Sequence, residues 1–496
     1  MPISLRLALA AGLTALVACG GDKGPFPPSS QFAARCAAPR TGIDSSTGRP
    51  YPDRAGTSGD EKRWIRSWTD ELYLWYREVP NLSPDSSATP VDYFSLLKTP
   101  AITASGKPKD QFHFTYSTDD WRRLAQSGVR SGYGVSWLVI QPRPPRQVVA
   151  AYNEPGSPAA LAGVGRGTSV LAIDGEDMVN GSNVDTLNAG LYPATANESH
   201  TFQVQDVGGT VRQVTLVSAD IESAPVQNVH AINTPSGPVG YLLFNDHLAT
   251  AETALISAII QLQSAGITDL VLDIRYNQGG YLDIASELAF MIAGPGPTHN
   301  QTFEKSLFND KYPNKDPVTG ADLAIPFHTA ALGFSATSGQ PLPHLDLPRL
   351  FVLTGGSTCS ASESVINSLR GVDVAVIQIG ASTCGKPYGF YPADNCGTTY
   401  FAIQFQGVNA TGFGDYADGF VPGGGGPSGV PGCQAADDLA HQLGDAAETR
   451  LAAALWYRAT GSCPPGAQAL ESGPSLLVDN GLMVKSPWDE NRIYRP

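Results

Sequence analysis

A serine hydroxyl attacks a carbonyl only when a base takes its proton. The stretch from Pro348 to Lys386, PRLFVLTGGSTCSASESVINSLRGVDVAVIQIGASTCGK, carries both a serine and a basic partner. Leu350 to Leu353 is a short apolar, β-prone run broken by Gly355-Gly356. Ser364 to Arg370 has helical spacing (Val365, Ile366, Leu369) and ends at Gly371. Val372 to Ile379 is a second buried-type strand, and Lys386 follows it. Ser360 falls at the strand–turn–helix junction, where free N–H groups and the helix dipole favour developing negative charge. A lysine serves as the base when burial leaves its amine neutral, so Ser360 and Lys386 form a candidate Ser-Lys dyad. No histidine lies in the stretch, so a Ser-His-Asp triad has no local support. Ser360-x-x-Glu363 is equally a capping box, in which the serine only closes a helix end.

The elements that must hold this stretch read as a parallel sheet covered by helices. Val239 to Phe244 is a strand, Thr250 to Ala265 a helix with Leu255, Ile259 and Leu262 on one face, and Asp269 to Ile274 an apolar strand. Arg275-Tyr276-Asn277-Gln278-Gly279-Gly280 then leads into a helix over Leu282 to Ala293, a second strand–turn–helix junction with free N–H groups. Asp273 and Arg275 read as a structural pair. Asp60 to Glu78 reads as a helix packing Trp64, Ile65, Trp68, Leu72 and Trp75; a short helix over Asp92 to Leu97 and a strand over Phe112 to Tyr116 follow. Asp437 to Tyr457 has the spacing of an amphipathic helix closing the core. Alternating strands and helices give an α/β (α+β) multidomain class.

The run Ser360-Ala361-Ser362-Glu363, with Gly385-Lys386 beyond an intervening strand, resembles the C-terminal processing (tail-specific) proteases, a Ser-Lys serine peptidase family. The resemblance implies Ser360 as nucleophile, Lys386 as general base, and the Ala361 N–H as half of an oxyanion hole. The matching D-L-R-x-N-x-G-G segment places the other half on Gly279 or Gly280. Gly156-Ser157-Pro158-Ala159 through Val170 to Gly175 resembles a PDZ domain, which makes Gly132, Tyr133, Gly134 and Val135 the carboxylate-binding loop for an added peptide strand. Gly419-Phe420-Val421-Pro422 resembles the G-x-x-P segment near the family's domain end. Two departures stand out. Phe390 occupies the place of a glutamine that orients the lysine, for which Gln404 or Gln406 is a candidate replacement. The Ser360–Lys386 separation of 26 residues is one longer than is usual in the family, an extra residue that a bulge in the strand Val372 to Ile379 would absorb.

The chain of 496 residues has room for two or three domains, and its net charge of −14 argues against nucleic acid as a partner. Leu7 to Ala18 is an apolar run after Arg6, too short to span a membrane, and Leu16-Val17-Ala18-Cys19 resembles a bacterial lipobox with Cys19 as the lipidated residue. Six further cysteines suggest disulfides of an exported protein. Cys384–Cys396 across a hairpin and Cys433–Cys463 are the preferred pairs, with Cys359–Cys384 the alternative. No metal motif occurs, and acyl-enzyme chemistry requires no cofactor. The expected layout is a lipoprotein signal peptide (1–19), flexible tether (20–58), helical N-terminal cap (59–127), PDZ-like β domain (128–222), α/β catalytic domain (223–463) and tail (464–496). The reading is an exported serine endopeptidase, anchored through Cys19 to the bacterial outer membrane facing the periplasm, cleaving unfolded or C-terminal peptide segments of exported proteins. The rival readings are a non-catalytic peptide-binding lipoprotein on the same fold and a surface module for glycans or small ligands; the number of subunits is left open.

Overall fold

The computed structural model describes residues 25–44, 47–103, 105–465, 481–483 and 492–494. Cys19 and the expected signal peptide lie outside these residues.

The core is one six-stranded sheet in the order Val226–Ile232, Val239–Phe244, Asp269–Asp273, Arg349–Thr354, Ala375–Gly380, Gly432–Gln434. Only the first pair is antiparallel; the other four are parallel. The strands are apolar on both faces because both faces are covered. Leu242, Phe244, Leu272, Leu350 and Val352 point to helices Ala251–Ser264, Leu282–Ala293 and Ala361–Arg370. Tyr241, Leu243, Val271, Phe351 and Ile379 point the other way, to Leu451, Ala453 and Ala454 of the helix Thr449–Thr460. That helix is shorter than the spacing predicts: residues 437–448 are loop, because Asp437 and Glu448 turn inward to pair with arginines. The expected bulge is absent, since Arg349–Thr354 and Ala375–Gly380 pair in unbroken register.

A five-strand antiparallel path, Val211–Val217, Ser199–Gln205, Ser169–Ile173, Gln147–Asn153, Val135–Gln141, builds the small β domain around its own core of Val148, Ile173, Leu187 and Phe202. Its edge strand Val135–Gln141 follows the Gly132–Val135 loop. Arg166 joins this domain to the sheet: its guanidinium donates to Tyr276 Oη at 2.7 Å and to Asp437 at 2.6 Å.

The N-terminal segments do not stand apart as a cap. The helix Ser58–Leu72 stacks Trp64 on Trp68 and sets Trp64 against Tyr400, so it shares the core of the central sheet. The strand Phe114–Ser117 pairs with Thr398–Phe401. Thr398–Phe401 and the next strand, Phe405–Val408, which carries Gln406, serve different sheets. The expected tether is partly folded: Arg35–Cys36 pairs with Arg54–Ala55, and Cys36 is bonded to Cys396. This corrects the Cys384–Cys396 pairing. Cys384 instead bonds Cys359, because both leave the ends of adjacent parallel strands, with Cα atoms 5.2 Å apart. Cys433–Cys463 forms as expected.

Candidate active site

Two strand–turn–helix junctions meet at the C-terminal ends of adjacent strands Asp269–Asp273 and Arg349–Thr354. At the first, Ser360 precedes the helix Ala361–Arg370 with φ 65° and ψ −122°, a conformation an L-residue adopts only when its surroundings hold it there. Its residue is fully buried. Ser360 and Glu363 close in capping-box fashion, and the bond with ordinary geometry runs from the Ser360 N–H to Glu363 Oε2 at 2.9 Å. Ser360 Oγ makes no hydrogen bond among the described residues, so the side chain is not spent on capping. Ala361 contributes one of the first helical N–H groups, which have no acceptor inside the helix.

Glu363 is the hub that sequence reasoning saw only as a cap. Its carboxylate also accepts Thr383 Oγ1 at 2.5 Å, the Gly385 N–H at 2.9 Å and the Lys386 N–H at 2.8 Å. Oε2 receives both the Ser360 and the Lys386 N–H, so those two amide nitrogens lie within about 5.7 Å, the sum of the two bonds. Burial pushes the Glu363 carboxyl up, and the donated bonds oppose that push. The Cys359–Cys384 disulfide ties the same two loops a second time. Gly385 is required here: at φ 87° a Cβ would stand 2.3 Å from the Ala417 carbonyl oxygen.

Lys386 is fully buried, with Nζ 4.9 Å from the Phe112 ring and 4.3 Å from the Phe390 ring. The expected hydrogen bond from Lys386 to Ser360 Oγ is not formed in this state. Gln404 and Gln406 do not replace the missing glutamine. Gln404 exchanges bonds with the Tyr391 backbone, and Gln406 donates to the Gly414 carbonyl. An aromatic box stands where an amide would.

At the second junction, Asn277 holds the turn. Its Nδ2 donates to the Phe244 carbonyl at 2.9 Å, and its Oδ1 accepts the Gly279 N–H at 3.0 Å and lies 3.0 Å from His247 Nδ1. Its carbonyl accepts the Cys359 N–H and Ser362 Oγ, which latches this turn to the serine loop. Gly279–Tyr281 is extended, and one edge pairs with His247: the His247 N–H reaches the Gly279 carbonyl and the Tyr281 N–H the His247 carbonyl. Successive strand peptides face opposite edges, so the N–H of Gly280 faces away from His247. Between the two candidate glycines, only that of Gly280 is uncommitted to the turn itself. The expected Asp273–Arg275 pair is present, with Arg275 also bonded to both Glu448 oxygens. Burial alone would raise the Asp437 carboxyl, but Arg450, Arg275 and Arg166 outweigh it and hold it well below the carboxylate range.

Gly132, Tyr133, Gly134 and Val135 line a separate pocket in the small β domain with Arg130, Leu191 and Ile221. Tyr133 itself is buried against Phe202. Cys359, Cys384 and Glu363 converge closely, but both sulfurs are spent on the disulfide, which leaves one carboxylate and no thiolate for a metal.

Residues 238–389 match the family described as peptidase family S41, and residues 60–121 match the peptidase S41 N-terminal domain. The chain is 30% identical over 273 residues to a carboxyl-terminal-processing protease of Picosynechococcus sp., covering 53% of this chain and 56% of that protein. It is 31% identical over 238 residues to a carboxyl-terminal-processing protease of Synechocystis sp., 47% of each. The chain thus spans about half the length of the curated relatives it matches. Among solved structures, a putative S41 protease from Bacteroides fragilis superposes with a TM-score of 0.61 at 25% identity, covering 83% of this chain and 98% of that one.

Proposed function

We propose that this chain, which belongs to the C-terminal processing protease family, is a Ser-Lys endopeptidase acting on unfolded or C-terminal peptide segments. The observation that carries the reading is Ser360: a buried serine in a strained conformation at a helix start, whose hydroxyl is left unbonded beside the lysine loop. Strain of this kind persists at sites that use it. In the reaction, Ser360 Oγ attacks the scissile carbonyl carbon while Lys386 Nζ takes its proton. The N–H groups of Ala361 and Gly280 hold the oxyanion. The proton then passes to the leaving amine, and water, deprotonated by the same lysine, releases the acyl group and restores the serine. The Ser360–Lys386 hydrogen bond tightens when substrate orders the groove, as catalytic contacts commonly do.

The small β domain acts as a PDZ module. Its pocket at Gly132–Val135 opens beside the edge strand Val135–Gln141 and the helix Val184–Leu191, a slot for a peptide strand and its carboxylate. The chain is exported and lipid-anchored through Cys19. Three disulfides fit an oxidising compartment. No helix among the described residues is long and apolar enough to cross a membrane.

The test is cleavage of an unstructured protein by residues 20–496, beside Ser360→Ala and Lys386→Ala. Loss of activity by about a thousandfold in both, with unchanged circular dichroism, is expected. Retained cleavage in either variant removes the dyad.

A further inference from the structure

The edge of Gly279–Tyr281 opposite His247 is already taken. The segment Arg492–Tyr494 runs parallel to Gly279–Tyr281, with Gly279 opposite Arg492, Gly280 opposite Ile493 and Tyr281 opposite Tyr494. The same segment also packs near Tyr388–Gly389, the short strand that follows Lys386. The segment is therefore paired with the strand bearing the Gly280 N–H and close to the strand leaving the lysine. It comes from far along the chain: the last helix ends at Thr460.

Gly279–Tyr281 is a three-residue edge with a dedicated partner on one side only. His247 uses the Gly279 carbonyl and the Tyr281 N–H, so the N–H and carbonyl of Gly280 are left facing the groove. A buried backbone edge of this kind demands a partner strand. A glycine at position 280 keeps that edge close-packed, since a Cβ there would stand 2.4 Å from the His247 carbonyl oxygen. An extended peptide satisfies the edge by strand addition, and its sequence enters little because the contact is main-chain.

We infer that the substrate groove of this protein is occupied at rest by its own 492–494 segment, which adds as a parallel strand to Gly279–Tyr281 and competes with incoming peptide for the Gly280 edge. This rests on the peptidase reading above, since that reading makes the edge a substrate groove. An in-chain occupant is held at high effective concentration, so only segments that are themselves extended and abundant displace it. It also accounts for a site in which Ser360 Oγ and Lys386 are not hydrogen-bonded to one another. The occupied groove is a resting state, and exchange of the segment for substrate precedes attack.

The experiment uses the full chain and the variant Ile493→Pro/Tyr494→Pro. Two consecutive prolines take away N–H groups facing both sides of the strand, so the ladder weakens whichever alternate set it uses. The substrate is an unstructured casein, and the second probe is a synthetic peptide of residues 484–496. The expected result is a rise in kcat/KM of about tenfold or more in the proline variant, reversed competitively by the added peptide. Equal, non-zero rates for the two chains overturn the inference. So does a faster variant that the peptide neither inhibits nor binds, because the prolines then act elsewhere. If neither chain cleaves, the peptidase reading fails by itself. In that case anisotropy of the labelled peptide on the Ser360→Ala/Ile493→Pro/Tyr494→Pro chain decides the rest: saturable binding upholds the segment's docking, and no binding overturns it.

Discussion

The serine junction and the glycine junction are built from the same parts and put to opposite uses. Each leaves the end of a parallel strand, makes a tight turn with positive φ, and starts a buried helix. At Ser360 the positive φ is borne by a residue with a side chain, and what the turn presents is a hydroxyl. At Gly279 and Gly280 the positive φ is borne by glycines, and what they expose is backbone. The first is over-determined by a carboxylate, Glu363, and a disulfide. The second is over-determined by an amide, Asn277, and the His247 backbone. On the proposed reading, a side chain that reacts is thus held from outside, whereas a backbone that binds is shaped by the absence of a side chain.

This contrast can be broken most sharply at residue 360. Ser360→Gly keeps the turn and relieves its strain. Cleavage is expected to fall by about a thousandfold, while the chain becomes as stable as wild type or about 1 kcal/mol more so in urea unfolding. A clear loss of stability would show that the serine is structural after all. Gly280→Ala should do the reverse in kind. Its Cβ would meet the His247 carbonyl at 2.4 Å, so both stability (about 1–3 kcal/mol) and kcat (about a hundredfold) should drop. Gly356→Ala, with nothing within 4 Å of the added Cβ, should change neither by more than about 0.5 kcal/mol.

The two disulfides sharpen the comparison further. Cys359–Cys384 and Cys433–Cys463 close loops of similar separation, 25 and 30 residues. Replacing either pair by serines is expected to cost about 3–4 kcal/mol in thermal or urea unfolding. Only the loss of the first should also lower kcat, because only the first ties the Ser360 loop to the Lys386 loop. Equal kcat losses would mean that the tie has no special place.

A pH-dependent effect belongs to the helix behind the glycine junction. Glu287 on that helix is buried beside Glu252, and burial, followed by that neighbour, pushes its carboxyl from 4.5 up to about 9. Folding therefore favours its protonated form. The stability it supports is complete below about pH 4.5 and is lost progressively as pH rises toward 9. Glu287→Gln, which can still accept the Leu332 N–H, should flatten that decline and exceed wild type by about 1–3 kcal/mol at pH 9. An unchanged pH slope would place the titration elsewhere.

Much of the frame was readable from local pattern. The strand over Val239–Phe244 and the helix over Leu282–Ala293 occur with the bounds their spacing predicts, because each depends on apolar periodicity within one segment. The same logic failed over residues 437–448. Leu439 and Leu443 have helical spacing, but Asp437 and Glu448 are claimed by Arg275 from a distant strand end. Cys384 and Cys396 are close in sequence and look like a hairpin pair, yet the sheet order brings Cys359 to Cys384 and the N-terminal segment to Cys396.

The residue types and order of the chain alone determined that a serine at a helix start and a later lysine belong to one parallel-sheet core, with a separate β domain before it. Those are matters of short-range pattern and motif. The tertiary structure decided how the parts are held: that Glu363 gathers both loops, that Phe390 and Phe112 flank the lysine, that Gly280 rather than Gly279 faces away from His247, and that 492–494 pairs along that edge. Each of these depends on contacts between segments far apart in the chain, whose geometry is set by strand order and packing rather than by any local propensity.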